Sequence, residues 1–340
     1  MLVLGIETSC DECSVAVVED GRTIHSNVVL SQVESHALFQ GVVPEIASRM
    51  HTESILPVYR AALAEANVGA AGAKEIDGVA VTSRPGLTGS LVVGLTFAKG
   101  VAFSLGVPYV AVDHILSHIY APQLAERIDY PHLTLLVSGG HSIIGKVEGF
   151  DRFTVLGTTI DDACGEAFDK VATHLGVGYP GGVRIDRLAR KGDAGAYRFP
   201  KPKLTKGDHR YDVSYSGLKT AVLHQLEQFH VEGRGSALED IAASFEKAAV
   251  DMLLLRLLRA VRDTGIRRVV AAGGVAANSY LRERLRREKE LEVYVPPLKL
   301  CTDNAAMVAG LGYHYLARGE RSAYEEGVRA RVPRFRHSYP

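Results

Sequence analysis

The sequence predicts an α/β protein of two related domains. One reason is that a strand–turn–strand pattern at the start of the chain recurs about 130 residues later, which is close to the length of one domain. The other is that segments typical of buried strands alternate with helical segments, which favours an α/β arrangement. The length of 340 residues also suits two domains of ordinary size.

Each half opens with a predicted β-hairpin. Leu2–Ile6 and Ser14–Val18 are apolar runs on either side of a polar turn. In the second half, Leu133–Val137 and Ile143–Val147 flank the glycine-rich turn Ser138–Ser142. Hairpins are common, so the pattern alone leaves a true duplication of the domain open.

Helices and strands alternate after the first hairpin. Pro44 suits the first position of a helix that reaches Ala66, and Pro57 should break or kink that helix. The following predicted elements are a strand at Asp77–Thr82, a helix from about Ser90 through Ala102 and a strand at Tyr109–Val112.

The second half continues the alternation. A helix is predicted over Asp240–Arg262, ended by Gly265, and its apolar face comprises Ile241, Phe245, Ala248, Met252 and Leu255. Further elements follow in the order strand Val269–Ala272, helix from Asn278, strand Val293–Val295, and a helix to about Ala317 that is capped by Thr302 or Asp303.

Composition limits the classes of protein to which the chain could belong. Hydrophobic residues make up 46% and charged residues 23%, which excludes a mainly disordered chain. Lys plus Arg and Asp plus Glu number 39 each, so the formal net charge of zero excludes a uniformly basic coat for nucleic acid but permits local basic patches. Two candidate patches are Lys201, Lys203, Lys206 and Arg210, and Arg282, Arg284, Arg286 and Arg287.

The chain also suggests a cytoplasmic enzyme. It contains no apolar run of about 20 residues, so no membrane span is expected, and the first residues do not resemble a signal peptide. Four cysteines in 340 residues do not make a disulfide framework. Cys10 and Cys13 are interpreted as small residues in a tight turn, because neither a redox helix nor a second cysteine pair accompanies them.

His114 and His118 are candidate metal ligands. On a helix, residues four apart share one face, so both imidazoles can reach one ion, although such pairs are more often structural. The zinc-protease signature would place a glutamate after the first histidine, where this chain has Ile115. Asp303 is a candidate third ligand, and two histidines with one carboxylate would leave positions open for substrate.

Three glycine pairs favour a nucleotide site. Gly139-Gly140, Gly181-Gly182 and Gly273-Gly274 lie at or near predicted strand ends, where backbone N–H groups can approach a phosphate. The P-loop motif is absent. The four carboxylates in residues 161–169 are either a solvated helix start or ligands of ribose or metal, and the sequence leaves both readings open.

The motifs, taken in order, resemble the bacterial TsaD family, the tRNA N6-adenosine threonylcarbamoyltransferases once labelled glycoproteases. The resemblance spans about Val3 to Pro333. It rests on Leu4–Glu12, Gly41–Arg49 with His51, Pro85-Gly86-Leu87, His114 with His118, Leu136–His141, Gly165–Lys170, Tyr179–Gly182, Ser214–Thr220, Ala272–Asn278 and Cys301–Asn304.

The resemblance implies a fold of the actin-like/sugar-kinase/Hsp70 type, with two related lobes and an active-site cleft between them. The expected lobes are residues 1–130 with 302–330, and residues 131–301. It implies one metal ion, iron before zinc, held by His114, His118 and Asp303. The implied substrate and nucleotide residues are Leu136, Val137, Ser138, Gly139, Gly140, Asp169, Gly182, Asp186 and Asn278.

The chain departs from the wider family at three positions. Archaeal and eukaryotic relatives carry a tyrosine that can contact the metal where Leu136 stands, which implies an open coordination place here. Cys13 and Cys164 replace the commoner threonine and alanine, and we assign no function to either.

The implied reaction transfers threonylcarbamoyl from threonylcarbamoyl-adenylate to N6 of adenosine 37 in tRNAs that read codons beginning with A. Asp11 or Glu12 would accept the amine proton, with Asp11 preferred. The family implies tRNA, a smaller paralogous protein and a P-loop ATPase as partners, and no membrane. The alternatives are a metallopeptidase, which would lack its glutamate at Ile115, and an ATP-dependent kinase of the same fold.

Overall fold

The computed structural model describes residues 1–68, 75–200, 209–232 and 238–332. They form two compact units. The first comprises Met1–Ile128 together with the described residues from Pro296 onward, and the second comprises Asp129–Val295. The sequence placed the divisions at 130/131 and 301/302, a few residues from those of the structure.

Each unit contains a five-stranded mixed sheet. The first sheet is built from β1 (Leu2–Glu7), β2 (Glu12–Glu19), β3 (Thr23–Ser31), β4 (Gly78–Arg84) and β5 (Tyr109–Asp113). The second is built from β6 (His132–Val137), β7 (Ser142–Gly149), β8 (Arg152–Thr158), β9 (Arg268–Ala272) and β10 (Glu292–Tyr294).

The two sheets share one topology. The first has the order β3-β2-β1-β4-β5, and the second, read from its other edge, has the order β8-β7-β6-β9-β10. In both, the three hairpin-connected strands pair antiparallel and the remaining pairs are parallel. The structure therefore confirms that the two predicted hairpins belong to related α/β units.

Helices pack on these sheets. In chain order they are α1 (Val33–Ala37), α2 (Pro44–Glu65), α3 (Thr88–Leu105), α4 (His114–Tyr120), α5 (Cys164–His174), α6 (Gly181–Ala189), α7 (Ser216–Glu232), α8 (Leu238–Thr264), α9 (Ser279–Arg287) and α10 (Ala305–Ala317). α10 contacts β1, β2 and β4 as well as α4, so residues near both ends of the chain build the first unit.

Two details of the predicted helices differ in the structure. Pro57 does not break α2, because the burial of Ile55, Val58 and Ala62 against the sheet compensates for one missing backbone hydrogen bond. Leu255 is 50% exposed, since the buried face of the long α8 shifts along its length and Leu254 is buried instead.

α3 is apolar enough and long enough to cross a membrane, with 18 residues at a mean hydropathy of 1.4. One such helix is weak evidence, because core helices meet the same criterion. In this structure Leu95, Ala98 and Ala102 of α3 lie in the core cluster of the first unit. The sequence had led us to expect no segment of this kind.

Candidate functional site

A cluster of two histidines and one aspartate lies in the first unit. His114 and His118 occupy one face of α4, as their spacing predicts, and their ring centroids are 4.6 Å apart. Asp303 Oδ1 lies 2.9 Å from His118 Nε2 and 3.7 Å from His114 Nε2. One ligand atom from each residue lies within 4.8 Å of the others. The structure thus brings together the three predicted metal ligands.

The start of α4 is fixed by Asp113, the last residue of β5. Its Oδ1 accepts hydrogen bonds from the backbone N–H groups of Ile115, at 2.8 Å, and Leu116, at 3.2 Å. Arg84 Nε donates to the other carboxylate oxygen at 3.3 Å. This cap leaves His114 in the first turn of the helix, with its ring directed at the carboxylates of the first unit.

Asp303 does not cap the last helix, and the sequence-based prediction was wrong on this point. The cap is Asn304, whose backbone is extended and whose Oδ1 accepts from Met307 N at 3.2 Å. The side-chain amide of Asn304 thus accepts a hydrogen bond from a free backbone N–H group at the start of the helix, and Asp303 is not needed for this role. The Asp303 carboxylate is therefore available to face the two histidines.

Glu7 and Ser9 orient His114, and the sequence analysis did not identify either. His114 Nδ1 lies 3.2 Å from Glu7 Oε2 and 3.1 Å from Ser9 Oγ. Glu7 is itself held by Thr82 Oγ1 at 2.6 Å. A hydrogen bond from the outer ring nitrogen to a carboxylate is typical of histidines that bind metals. The sequence feature that could have identified Glu7 is its position as an acidic residue at the end of the apolar strand β1.

The three residues fit a first-row divalent metal. Bonds of about 2.0–2.2 Å to nitrogen and oxygen imply distances of about 3–3.6 Å between neighbouring ligand atoms. The observed separations of 2.9 and 3.7 Å lie close to this range. Two imidazoles and one carboxylate suit iron or zinc better than magnesium. The position that a zinc protease of the familiar type fills with a catalytic glutamate holds Ile115 in this chain, and its apolar side chain is buried.

The electrostatics of this cluster favour a cation. Burial alone would lower the pKa of His114, but the carboxylates of Asp303 and Glu7 raise it to about 9. Burial alone would likewise raise the pKa of Glu7, and His114 lowers it below its usual range. The carboxylates around His114 therefore favour a positive charge on its imidazole ring. A bound metal ion would supply this charge in place of the proton.

Asp11 and Glu12 lie at the end of the first hairpin turn. Asp11 is buried, and its carbonyl accepts a hydrogen bond from Gln32 N at 3.0 Å. Glu12 is half-buried and accepts from Ser31 Oγ at 3.3 Å. Burial, followed by the charges of Asp303 and Asp11, raises the pKa of Glu12 well above its usual range. This environment favours the protonated form of the Glu12 carboxyl group.

In the second unit, the turn from Ser138 to His141 joins β6 to β7. Ser138 N donates to His141 O at 2.8 Å, and His141 N donates to Ser138 Oγ at 3.1 Å. A Cβ atom added to Gly165 would lie 2.9 Å from Gly139 N, so the turn rests against the start of α5. Cβ atoms at Gly139 or Gly140 would meet nothing within 4 Å. Their backbone faces therefore have room for a ligand.

Asp169 on α5 contacts the start of α6, where Gly182 is the second residue. Asp169 Oδ1 accepts from Gly181 N at 2.7 Å. A Cβ atom on Gly181 would come within 2.6 Å of Asp169 Cα, whereas one on Gly182 would meet nothing within 4 Å. Gly181 is thus required by packing, and Gly182 borders open space.

Asp186 and Asn278 also meet. Asp186 Oδ1 lies 2.9 Å from Ser279 N and 3.5 Å from Asn278 Nδ2, which donates to Glu246 Oε1 at 2.6 Å. Burial raises the pKa of Glu246 to about 7. These contacts, with Gly165 beside Gly139, connect the predicted polar and glycine residues of the second unit into one region.

Leu136 and Val137 contribute no exposed side-chain atoms, since both are fully buried in β6. The acids of residues 161–169 have structural partners: Asp161 accepts from Tyr215 N at 2.7 Å, and Asp162 pairs with Lys170 and Lys219. All four cysteines are free thiols.

Of the predicted basic residues, Lys201, Lys203 and Lys206 lie outside the described residues. Arg210 pairs with Asp263, and Arg284 and Arg287 pair with Asp251 and Glu283. Arg282 donates to Ala276 O at 2.8 Å. Arg286 is exposed and has no ion-pair partner within the part of the chain that the structure describes. Three of the five described arginines are thus already in ion pairs.

The solved structures that share this fold include two that align with nearly all of this chain. Full-length HypF in a phosphate- and nucleotide-bound form matches with a TM-score of 0.60 at 17% identity, over 95% of this chain and 47% of that chain. Component A of (R)-2-hydroxyglutaryl-CoA dehydratase from Acidaminococcus fermentans matches with a TM-score of 0.54 at 17% identity, over 93% and 99% of the two chains. The architecture is that of the actin-like ATPases and sugar kinases.

The sequence relatives are closer. A protein of Treponema denticola named tRNA N6-adenosine threonylcarbamoyltransferase is 58% identical over 98% of both chains. A protein of the same name from Borrelia garinii subsp. bavariensis is 52% identical over 100% of this chain and 99% of its own. The profile of the TsaD family, tRNA N6-adenosine threonylcarbamoyltransferase, matches residues 23–310. The chain therefore belongs to the TsaD family of tRNA N6-adenosine threonylcarbamoyltransferases.

Proposed function

We propose that this chain transfers the threonylcarbamoyl group of threonylcarbamoyl-adenylate to N6 of adenosine 37 in tRNAs that read codons beginning with A. The amine nitrogen bonds to the carbamoyl carbon, the mixed-anhydride C–O bond breaks, and AMP leaves. The observation that carries the proposal is the cluster of His114, His118 and Asp303 in a member of this transferase family.

The triad would hold one divalent metal, iron in the first place and zinc in the second. Such an ion would act as a Lewis acid and polarise the carbamoyl carbonyl group of the donor. This activation is required because the attacking aromatic amine is a poor nucleophile. Glu7 and Ser9 keep His114 Nδ1 engaged, so that Nε2 remains directed at Asp303.

Asp11 is the proposed proton acceptor. The attacking N6 amine must lose a proton as its bond to the carbamoyl carbon forms, and a carboxylate within hydrogen-bond reach can take it. Glu12 lies next to Asp11, but burial and the neighbouring carboxylates raise its pKa and so favour the protonated form, which cannot accept a further proton. Asp11 is therefore the better candidate of the two.

The second unit is proposed to bind the adenylate. Backbone N–H groups of Gly139 and Gly140 would donate to its phosphate, and the open space beside the two glycines supports this assignment. The N–H group of Ser138 donates to His141 O, so Ser138 would contribute to the site by holding the turn. Asp169, Gly182, Asp186 and Asn278 would contact the nucleoside, since they line the connected region described above.

Two other functions are less well supported. A metallopeptidase of the familiar zinc type needs a glutamate beside the first histidine, where Ile115 is buried. A kinase would hold magnesium through carboxylates and waters, whereas the cluster offers two imidazoles. The named relatives favour neither alternative.

The family also suggests the surroundings in which the reaction takes place. We expect a smaller paralogous protein and a P-loop ATPase to assist turnover, and we expect the reaction to occur in the cytoplasm, where tRNA is available.

The proposal is tested by incubating the metal-loaded chain with threonylcarbamoyl-adenylate and unmodified tRNA, together with the two partner proteins. The nucleosides are then separated after digestion. Threonylcarbamoyl-adenosine and AMP should form in equal amounts. Formation of ADP from added ATP on a small substrate would instead favour a kinase, and cleavage of a peptide would favour a peptidase.

A further inference from the structure

The turn between β1 and β2 is fixed by three consecutive carbonyl groups. Each accepts a hydrogen bond from a different segment of the first unit: Ser9 O from Leu87 N at 2.8 Å, Cys10 O from His51 Nε2 at 2.9 Å, and Asp11 O from Gln32 N at 3.0 Å. Only the bond to Cys10 comes from a side chain. His51 is therefore the one of these donors that a substitution can remove without a change of backbone.

His51 is the end of a longer buried chain of side chains. Its Nδ1 lies 3.4 Å from Gln32 Nε2, and Gln32 Oε1 lies 3.3 Å from His36 Nε2. His36 Nδ1 in turn accepts from Val43 N at 3.3 Å. All three side chains are at most 1% exposed. The chain connects the loop before α2 to the first hairpin turn.

The two backbone ends determine the direction of every hydrogen bond in this chain. Cys10 O can only accept, so His51 Nε2 must carry the proton and Nδ1 must accept. Gln32 Nε2 also faces Ala47 O at 3.4 Å, which fixes the orientation of its amide.

The same argument determines which ring nitrogen of His36 carries the proton. Val43 N can only donate, so His36 Nδ1 must accept and His36 Nε2 must donate to Gln32 Oε1. Both imidazoles are therefore neutral and protonated at Nε2. Burial, which lowers the pKa of His51, favours the same state.

We propose that His36, Gln32 and His51 are positioning residues, which form a directional hydrogen-bond chain that holds the Cys10–Asp11 turn in place for the transfer reaction. The role in transfer rests on the proposed function, because Asp11 is its proton acceptor. Ser9, two residues before Asp11, contacts His114 Nδ1 at 3.1 Å. A displacement of this turn would thus move Asp11 relative to the metal ligands, and a shift of about 1 Å can reduce a rate about a hundredfold.

The first test does not depend on activity. Histidine side chains are labelled with ¹⁵N in the full-length protein, and two-bond ¹H–¹⁵N spectra at pH 7 report the protonated nitrogen of each ring. The signals of His36 and His51 are assigned by their loss in His36→Gln and His51→Gln. Both rings should be neutral with the proton on Nε2. A proton on Nδ1 of either ring, or an imidazolium at either position, would overturn the chain.

The second test separates positioning from mere packing. His51→Leu fills the space but cannot donate to Cys10 O, and it should lower kcat about a hundredfold with metal content and KM for the adenylate unchanged. His51→Gln keeps an N–H donor and should recover about tenfold or more of that loss. His132→Gln, at a buried histidine of the second unit, is the matched control and should retain kcat.

The outcomes are distinguishable. Full kcat in His51→Leu, or equal losses in His51→Leu and His51→Gln, would overturn the positioning role. Loss of metal together with kcat would also overturn it, because the effect would then be a general loss of structure. A wild-type protein that shows the expected tautomers but transfers nothing would overturn the proposed function, and the hydrogen-bond chain itself would stand.

Discussion

His118 Nε2 and Asp303 Oδ1 lie 2.9 Å apart although the two residues are 185 positions apart in the sequence. The contact exists because α10, which follows Asp303, returns to the sheet of the first unit and packs against α4, which carries His118. A carboxylate from one end of the chain thereby completes a pair of imidazoles from the middle. The two histidines lie on α4 and Asp303 precedes α10, so the convergence of the three residues is a property of the fold.

Removing one metal ligand should abolish metal binding and transfer together. His114→Ala and Asp303→Ala should each reduce metal content and activity at least about a hundredfold, because two remaining ligands bind a first-row metal poorly. The folded state should persist, since Asp303 does not cap α10. Elemental analysis, transfer assays and thermal melts of each variant provide the measurement.

The control for that experiment is Asp20→Ala, which removes an exposed carboxylate that pairs with the amino terminus. It should retain full metal and activity. If Asp303→Ala also retains both, the assignment of the triad is wrong and the histidine pair has a structural role.

Metal binding should release a proton from His114 at neutral pH. Its pKa of about 9 means that a metal must displace that proton below pH 9, so the apparent affinity should rise about tenfold per pH unit between pH 7 and pH 8.5. Zinc titrations by calorimetry, in buffers of different ionisation enthalpy, count the released protons. His25→Gln, at an exposed pair with Glu19, should leave the count unchanged. A count of zero would contradict the assignment.

The stability of the metal-free protein should depend on pH in the matching direction. The pKa of His114 is raised in the folded state to about 9, above the unfolded value of about 6.5. Its protonation therefore stabilises the fold fully below about pH 6.5, by about 3 kcal/mol at most, and this contribution is lost as the pH rises through about 9. Urea unfolding of the wild type and of Glu7→Gln measures it. Glu7→Gln should lose less stability between these pH values, and an identical loss in both proteins would contradict the account.

Gly182→Val should prevent adenylate binding and leave the fold intact. A Cβ atom at Gly182 meets no protein atom within 4 Å, so the added side chain would occupy space that a ligand needs. Gly181→Ala is the contrasting variant, because its Cβ would lie 2.6 Å from Asp169 Cα and should destabilise the protein. Calorimetric titration with a non-hydrolysable adenylate and thermal melts separate the two effects. Normal adenylate affinity in Gly182→Val would exclude the proposed position of the nucleotide.

tRNA binding should depend on unpaired basic residues more than on paired ones. Arg286→Gln should weaken tRNA binding and reduce the salt slope by about one unit, whereas Arg287→Gln, at a residue paired with Glu283, should have a smaller effect. Combining Arg286→Gln with substitutions of Lys201, Lys203 and Lys206 should flatten the slope further. Filter binding at salt concentrations from about 50 to about 200 mM measures the dependence of tRNA affinity on salt. An unchanged slope in the combined variant would show that tRNA binds elsewhere.

The sequence predicted the fold well where local pattern determines it. The two hairpins, the helix that starts at Pro44 and the helix that begins after Asn278 are local features, and the structure has all of them. The helix through Pro57 and the exposed Leu255 depend on packing against distant segments. A pattern in one segment contains no information about those neighbours.

The candidate site shows the same limit. The spacing of His114 and His118 predicts a shared helical face, but no local pattern places Asp303 beside them; the family resemblance suggested it. Glu7 and Ser9 were missed because their role depends on a contact with His114 across more than 100 positions. The cap at Asn304 was misplaced because two neighbouring polar residues also suit that position.

The most direct test of the metal assignment is anomalous scattering from crystals of the active protein, recorded on both sides of the iron and zinc absorption edges. We expect one strong peak about 2.0–2.3 Å from Nε2 of His114, Nε2 of His118 and Oδ1 of Asp303. The peak should vanish in crystals of Asp303→Ala. An active protein whose only anomalous peak lies elsewhere, or that has none, would contradict the claim that these three residues hold the metal on which transfer depends.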